Sequence, residues 1–103
     1  MLLSWANQVL AAEKVVLQEN KTFSELFIKV DSDDVVKFVN DDKVAHVLSF
    51  RGTNTSLSIR EIAPGASQAI KFSTPGVYDV QCEDLPEMKL TMLVSFIDKV
   101  IGH

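Results

Sequence analysis

From residue 14 onward the chain runs in short stretches that alternate apolar and polar positions. "ELFIKV" (25–30) sets Leu26, Ile28 and Val30 on one side, and "QAIKF" (68–72) aligns Ile70 with Phe72. "GVYDVQC" (76–82) puts Tyr78, Val80 and Cys82 on one face and Asp79 and Gln81 on the other. "KLTMLVSFI" (89–97) turns Leu90, Met92, Val94 and Phe96 the same way. A period of two predicts strands with one buried face. The β-branched run "KVVLQ" (14–18), the valine-rich "DVVKFVN" (34–40), "HVLSF" (46–50) after a polar turn and the alternating "LSI" (57–59) bring the total to about seven or eight strands. The pattern predicts an all-β protein, a two-sheet sandwich or a small barrel.

The breaks between these runs carry turn chemistry. Pro64-Gly65 and Pro75-Gly76 each offer a fixed φ followed by a residue free to take a positive one, which predicts type II turns. "DSDD" (31–34) and "NDDK" (40–43) are polar breaks. The run "DSDDVVKFVNDD" begins like a calcium loop. It then places Val35 and Val36 where a ligand and a glycine belong, and ends on Asp42 rather than Glu. Its carboxylates read as solvated turn residues.

The first residues, "MLLSWANQVLAAEK", fit two readings. Val9 and Ala11 have the small-residue spacing of a signal-peptidase site, but no basic residue precedes Lys14, and Asn7 and Gln8 interrupt the apolar run. The segment is either the remnant of an export signal or a short helix packing Leu3, Val9 and Leu10 on the domain. We therefore divide the chain into an extension, 1–13, and a domain, 14–103. The export reading implies a periplasmic or otherwise exported protein.

Composition narrows the function classes. A chain of 103 residues with 47% hydrophobic and 23% charged positions is one folded domain. The net charge is −4 and the basic residues are scattered singly, which argues against nucleic acid and an anionic membrane surface as partners. No stretch reaches the ~20 apolar residues of a membrane span. The single cysteine cannot form an internal disulfide. Asn20-Lys21-Thr22 and Asn54-Thr55-Ser56 match a glycosylation pattern that matters only in a eukaryotic secretory pathway. No phosphate loop, nucleophile elbow, metalloprotease helix or acid–base pair is present, so an enzyme has no support.

Three residues remain as candidates for chemistry: His46, Cys82 and Met88. Singly, each has an ordinary explanation as a core histidine, an inert buried thiol and a core filler. Their arrangement suggests more. Cys82 ends a strand whose alternation aims it inward, Met88 lies on the loop leaving that strand, and His46 opens another strand after a polar turn. Thiolate, thioether and imidazole together suit copper.

Four stretches carry a family resemblance: "VVKFVNDDKVAHVLSF" (35–50), "APGASQAIKF" (63–72), "TPGVYDVQC" (74–82) and "PEMKLTMLV" (86–94). In these, from Lys14 to Val94, the chain resembles the cupredoxins, the small blue-copper proteins, and among them the plastocyanin-like, methylamine-utilisation-like group. The resemblance implies a Greek-key β-sandwich, copper held by His46, Cys82 and Met88, electron transfer, and a protein redox partner. One position departs from the family's pattern. In "CEDLPEM" (82–88) the second ligand histidine is replaced by Leu85. The other histidine, His103, lies beyond the last strand.

A blue-copper site needs two imidazoles and one thiolate in its plane. With Leu85 the set is incomplete. Three donors still suit Cu(I). Cu(II) would leave an open position for water, Glu83, Asp84 or Glu87, while an exposed Leu85 would form an apolar patch for a redox or copper-transfer partner. Two readings follow. One is a copper-binding protein that transfers electrons or handles Cu(I). The other is a metal-free cupredoxin-fold binding or assembly module.

Overall fold

The computed structural model describes residues 12–53 and 57–96. The 1–11 segment, the 54–56 glycosylation pattern and His103 lie outside them. Nine strands follow in order: β1 (Glu13–Glu19), β2 (Thr22–Phe23), β3 (Phe27–Asp31), β4 (Val35–Asn40), β5 (His46–Gly52), β6 (Ser58–Ile62), β7 (Ser67–Lys71), β8 (Gly76–Cys82) and β9 (Leu85–Ser95). They form two mixed sheets, one ordered β2-β1-β4-β7 and the other β3-β9-β8-β5-β6. The fold is an all-β sandwich, as the alternation predicted.

The alternating positions make the core. From one sheet come Val16, Val36 and Phe38; from the other come Ile28, Leu48, Phe50, Val80, Leu90, Met92 and Val94. Each is buried because the pleat turns every second side chain to the facing sheet. Phe38, Phe50, Phe72 and Tyr78 pack in sequence, edge-to-face or tilted, with centroid separations of 5.2, 6.0 and 5.2 Å. The Tyr78 hydroxyl donates to the Thr74 carbonyl at 2.7 Å, so the ring is buried without orphaning its polar end.

Several details correct the sequence expectations. Leu26 precedes β3 and Phe96 follows β9, so neither is held by a ladder to the inner face. They are 77% and 73% exposed. The two-residue β2 was too short to show a period. Gly65 has φ of 78° and the Ala66 N–H donates to the Ala63 carbonyl at 3.0 Å, as a type II turn requires. Gly76 instead has φ of 149° and opens β8, so Pro75-Gly76 is not that turn. Asp34 is buried, not solvated. Its carboxylate accepts from the N–H of Ala12 at 3.1 Å and of Asp31 at 2.9 Å, closing the turn before β4.

Candidate metal centre

His46 and Cys82 reach the same place from neighbouring strands. In β5, His46, Leu48 and Phe50 share the inner face; in β8, Tyr78, Val80 and Cys82 do. The antiparallel register sets Leu48 opposite Cys82, two residues along from His46. His46 Nδ1 and Cys82 Sγ lie 3.6 Å apart, with the residues 2% and 0% exposed.

The other face of the imidazole is fixed as firmly. His46 Nε2 lies 2.7 Å from Asp42 Oδ2. Burial pushes the Asp42 carboxyl up. The hydrogen bond from His46 and the backbone N–H groups of Lys21 and Asn20 outweigh it, and the net direction is down from the ordinary aspartate value. At neutral pH Asp42 is therefore a carboxylate that can only accept, which puts a proton on Nε2. The remaining nitrogen, Nδ1, is the one facing the thiol. A carboxylate holding one imidazole nitrogen so that the other is aimed is the usual support of a metal-ligating histidine.

Asp42 is itself anchored. Its Oδ1 accepts from Asn20 N at 2.6 Å and its Oδ2 from Lys21 N at 2.9 Å. Both donors sit in the turn between β1 and β2, with φ of 56° and 61°, left-handed values that point successive N–H groups the same way. Asn40 ties down the 41–45 loop. Its Nδ2 donates to the carbonyls of Val44 and Ile62, both at 2.9 Å, and its Oδ1 accepts from Asp42 N at 2.9 Å. Sequence reading took Asp42 for a solvated turn carboxylate and gave Asn40 and this turn no role at the site. The signal available was the aspartate four positions before the histidine in "NDDKVAH".

Met88 is buried, in the same core as Cys82. Sequence reading put Met88 on the loop leaving β8, but that loop is only a two-residue turn. β8 and β9 close at Glu83-Asp84, with Cys82 paired to Leu85 and an irregular register after Gln81, so Met88 lies within β9. Leu85 is not an exposed patch. It is partly buried against the core, as expected of an isobutyl group given an apolar neighbour. Glu83, Asp84 and Glu87 are all exposed and are not brought to the thiol. Among the described residues no group of three or more His, Cys, Asp and Glu side chains converges as a metal site.

The donors can be tested for fit. With the bond lengths of a tetrahedral zinc site, about 2.3 Å to thiolate sulfur and about 2.0–2.1 Å to imidazole nitrogen, two such donors stand about 3.6 Å apart, which gives the scale of spacing a small metal ion needs. Nδ1 and Sγ already stand at 3.6 Å. That spacing also suits a hydrogen bond in which thiol and imidazole share a proton. The two descriptions agree, since a metal ion displaces that proton. Gln18 is 0% exposed, and neither atom of its amide has a hydrogen-bond partner among the described residues. Such a group destabilises a fold by roughly 1–3 kcal/mol.

The comparisons with known proteins concern the fold. No family model matches the chain, and no curated protein matches it. Solved structures do. Amicyanin from Paracoccus versutus superposes with a TM-score of 0.72 at 22% identity, covering 84% of this chain and 85% of that one. A purple cupredoxin from Nitrosopumilus maritimus gives 0.67 at 19%, covering 80% and 99%. A mutant of amicyanin in its reduced Cu(I) form gives 0.73 at 19%, covering 85% and 87%. The sandwich is the cupredoxin fold.

Proposed function

We propose that this chain, a sandwich with the cupredoxin fold, binds copper through His46, Cys82 and Met88 and serves in electron transfer or Cu(I) handling. The observation that carries the reading is the facing pair of Nδ1 and Sγ at 3.6 Å, with the far side of the imidazole held by Asp42. A core histidine would also pair both nitrogens; what favours a ligand here is that a carboxylate fixes Nε2 while the neighbour of Nδ1 is a thiol, itself a donor to soft metals. Bound copper would supply a one-electron couple. The protein's part is to hold His46 with Nδ1 free, to keep the Cys82 thiolate from water, and to place the Met88 thioether in the same core. Three soft or borderline donors suit Cu(I) in particular.

The partner on this reading is another redox or copper-transfer protein. It would meet the end of the sandwich that carries the 41–45 loop and the Glu83-Asp84 turn, where Val44 is exposed. Export from the cytoplasm belongs to the same proposal.

A specific observation favours the second reading, a metal-free binding or assembly module. Leu85 pairs with Cys82 and packs on the core, so the fold closes at the position of the missing imidazole. Titration separates the two. Purified protein should take up one equivalent of Cu(I). With Cu(II) it should show a weak or atypical thiolate-to-copper band that intensifies when imidazole is added. No uptake in either oxidation state would leave the metal-free module.

A further inference from the structure

Gln18 enters the interior from the sheet that carries none of the three proposed ligands. It stands on the inner face of β1, two residues after the buried Val16, and its parallel register partner on β4 is Asn40. The Asn40 amide crosses the sandwich to the Ile62 carbonyl, and Ile62 is the register partner of His46. Gln18 therefore lies at the same level of the sandwich as His46. Its lateral position follows from the strand orders. On one side of β1 is β4, whose Asn40 reaches β6; on the other is β2, which packs against β9. Between β6 and β9 in the opposite sheet lie β5 and β8. By strand order β1 thus faces β5 and β8, the strands of His46 and Cys82, and Gln18 stands on its inner face at the level of His46.

Every other buried polar side chain at this end has found partners: Asn40 two carbonyls and an N–H, His46 a carboxylate and a thiol. Gln18 alone presents a carbonyl oxygen and an amino group to the interior without one among the described residues. We propose that Gln18 Oε1 is the oxygen donor that completes the copper centre where Leu85 offers none. The inference rests on the copper reading above. An amide oxygen is a hard donor, so it binds Cu(II) better than Cu(I) and lowers the potential of the couple.

Gln18→Leu tests it, because a structural role and a ligand role move the readouts differently. Leucine fills the site without a polar group, so the metal-free variant should unfold at a temperature equal to or above that of the parent. Cu(II) affinity, measured by competition with a chelator, should fall at least tenfold. Cu(I) affinity should change less than threefold, and the reduction potential should rise by about 59 mV for each tenfold loss confined to Cu(II). Gln18→Met, which replaces the oxygen with a thioether, should raise the potential as well and serves if the leucine variant does not fold. Equal Cu(II) affinity and potential in parent and variants would overturn the assignment of Gln18 alone, leaving its amide to a buried water. A parent protein that binds copper in neither state would overturn the copper reading and this inference with it.

Discussion

At the scale of single residues, the centre depends on which nitrogen of His46 carries the proton. Asp42 decides it, and three consequences can be measured. In the metal-free protein, two-bond proton–nitrogen NMR should show the His46 proton on Nε2. Asp42→Ala should give a mixture of tautomers and weaken metal binding by about 10–100-fold, the usual effect of losing such a support. A parent protein with the proton on Nδ1 would contradict the argument. The carboxylate also has a pH signature. Its pKa is lower in the folded chain than in the unfolded one. The stability it contributes is therefore present above the ordinary aspartate range and is lost as pH falls through the lowered value. Thermal unfolding followed down through that range should lose stability faster in the parent than in Asp42→Asn. Leu85 is the remaining residue of interest. Leu85→His should convert the weak Cu(II) band into an intense one without added imidazole, since the turn already sets position 85 beside Cys82. An unchanged spectrum would mean that the β8–β9 hairpin directs that side chain elsewhere.

At the scale of elements, the turn between β1 and β2 does work that its sequence conceals. "ENKT" has the Asn but not the Gly of the usual two-residue hairpin with positive φ, and Lys21 is held at 61° at a cost of about 1–2 kcal/mol. Lys21→Gly keeps the N–H that binds Asp42 and removes the strain. It should raise the unfolding temperature by a few degrees and leave metal affinity unchanged; a fall in stability would show that the lysine side chain matters more than its backbone. The turn also illustrates what could be read in the sequence. A strand with a strict period of two, such as 76–82, was legible because the pleat alone sorts its side chains, and 34–40 was legible as a valine-rich run. His46, Cys82 and Met88, each ordinary in a core, were singled out because their arrangement at the ends of predicted strands brings together donors that suit a soft metal. Asp42, the Asn20–Lys21 turn and Gln18 were not, since their roles arise from register: β1 lies against β4, and the N–H groups of residue 20–21 meet a carboxylate 21 and 22 positions away. Leu26 and Phe96 were misplaced for the opposite reason, because alternation continues past the point where the ladder ends.

At the scale of the whole molecule, the distribution of donors across the sheets predicts how metal should change stability. His46 is on β5, Cys82 on β8 and Met88 on β9, three neighbours in one sheet. An ion held by these three alone joins strands that are already hydrogen-bonded to one another. Gln18 belongs to the facing sheet, so a fourth bond would join the two layers, adding to the hydrogen bonds that Asn40 and Arg60 already make between them. Any ion that binds the folded chain and not the unfolded one stabilises it by mass action, about 2.7 kcal/mol at a free concentration one hundred times Kd. For a domain of this size that is a rise in Tm of roughly 10–20 °C. Cys82→Ser should abolish most of the rise with either oxidation state, because the thiolate is the one donor both require. The two states should then differ in their response to Gln18→Leu. At matched free concentration, the Cu(II)-induced rise should shrink in the variant while the Cu(I)-induced rise stays. If both shrink equally, the variant has loosened the fold around the site. If the rise survives Cys82→Ser, the copper is bound elsewhere on the surface and the buried pair does not hold it.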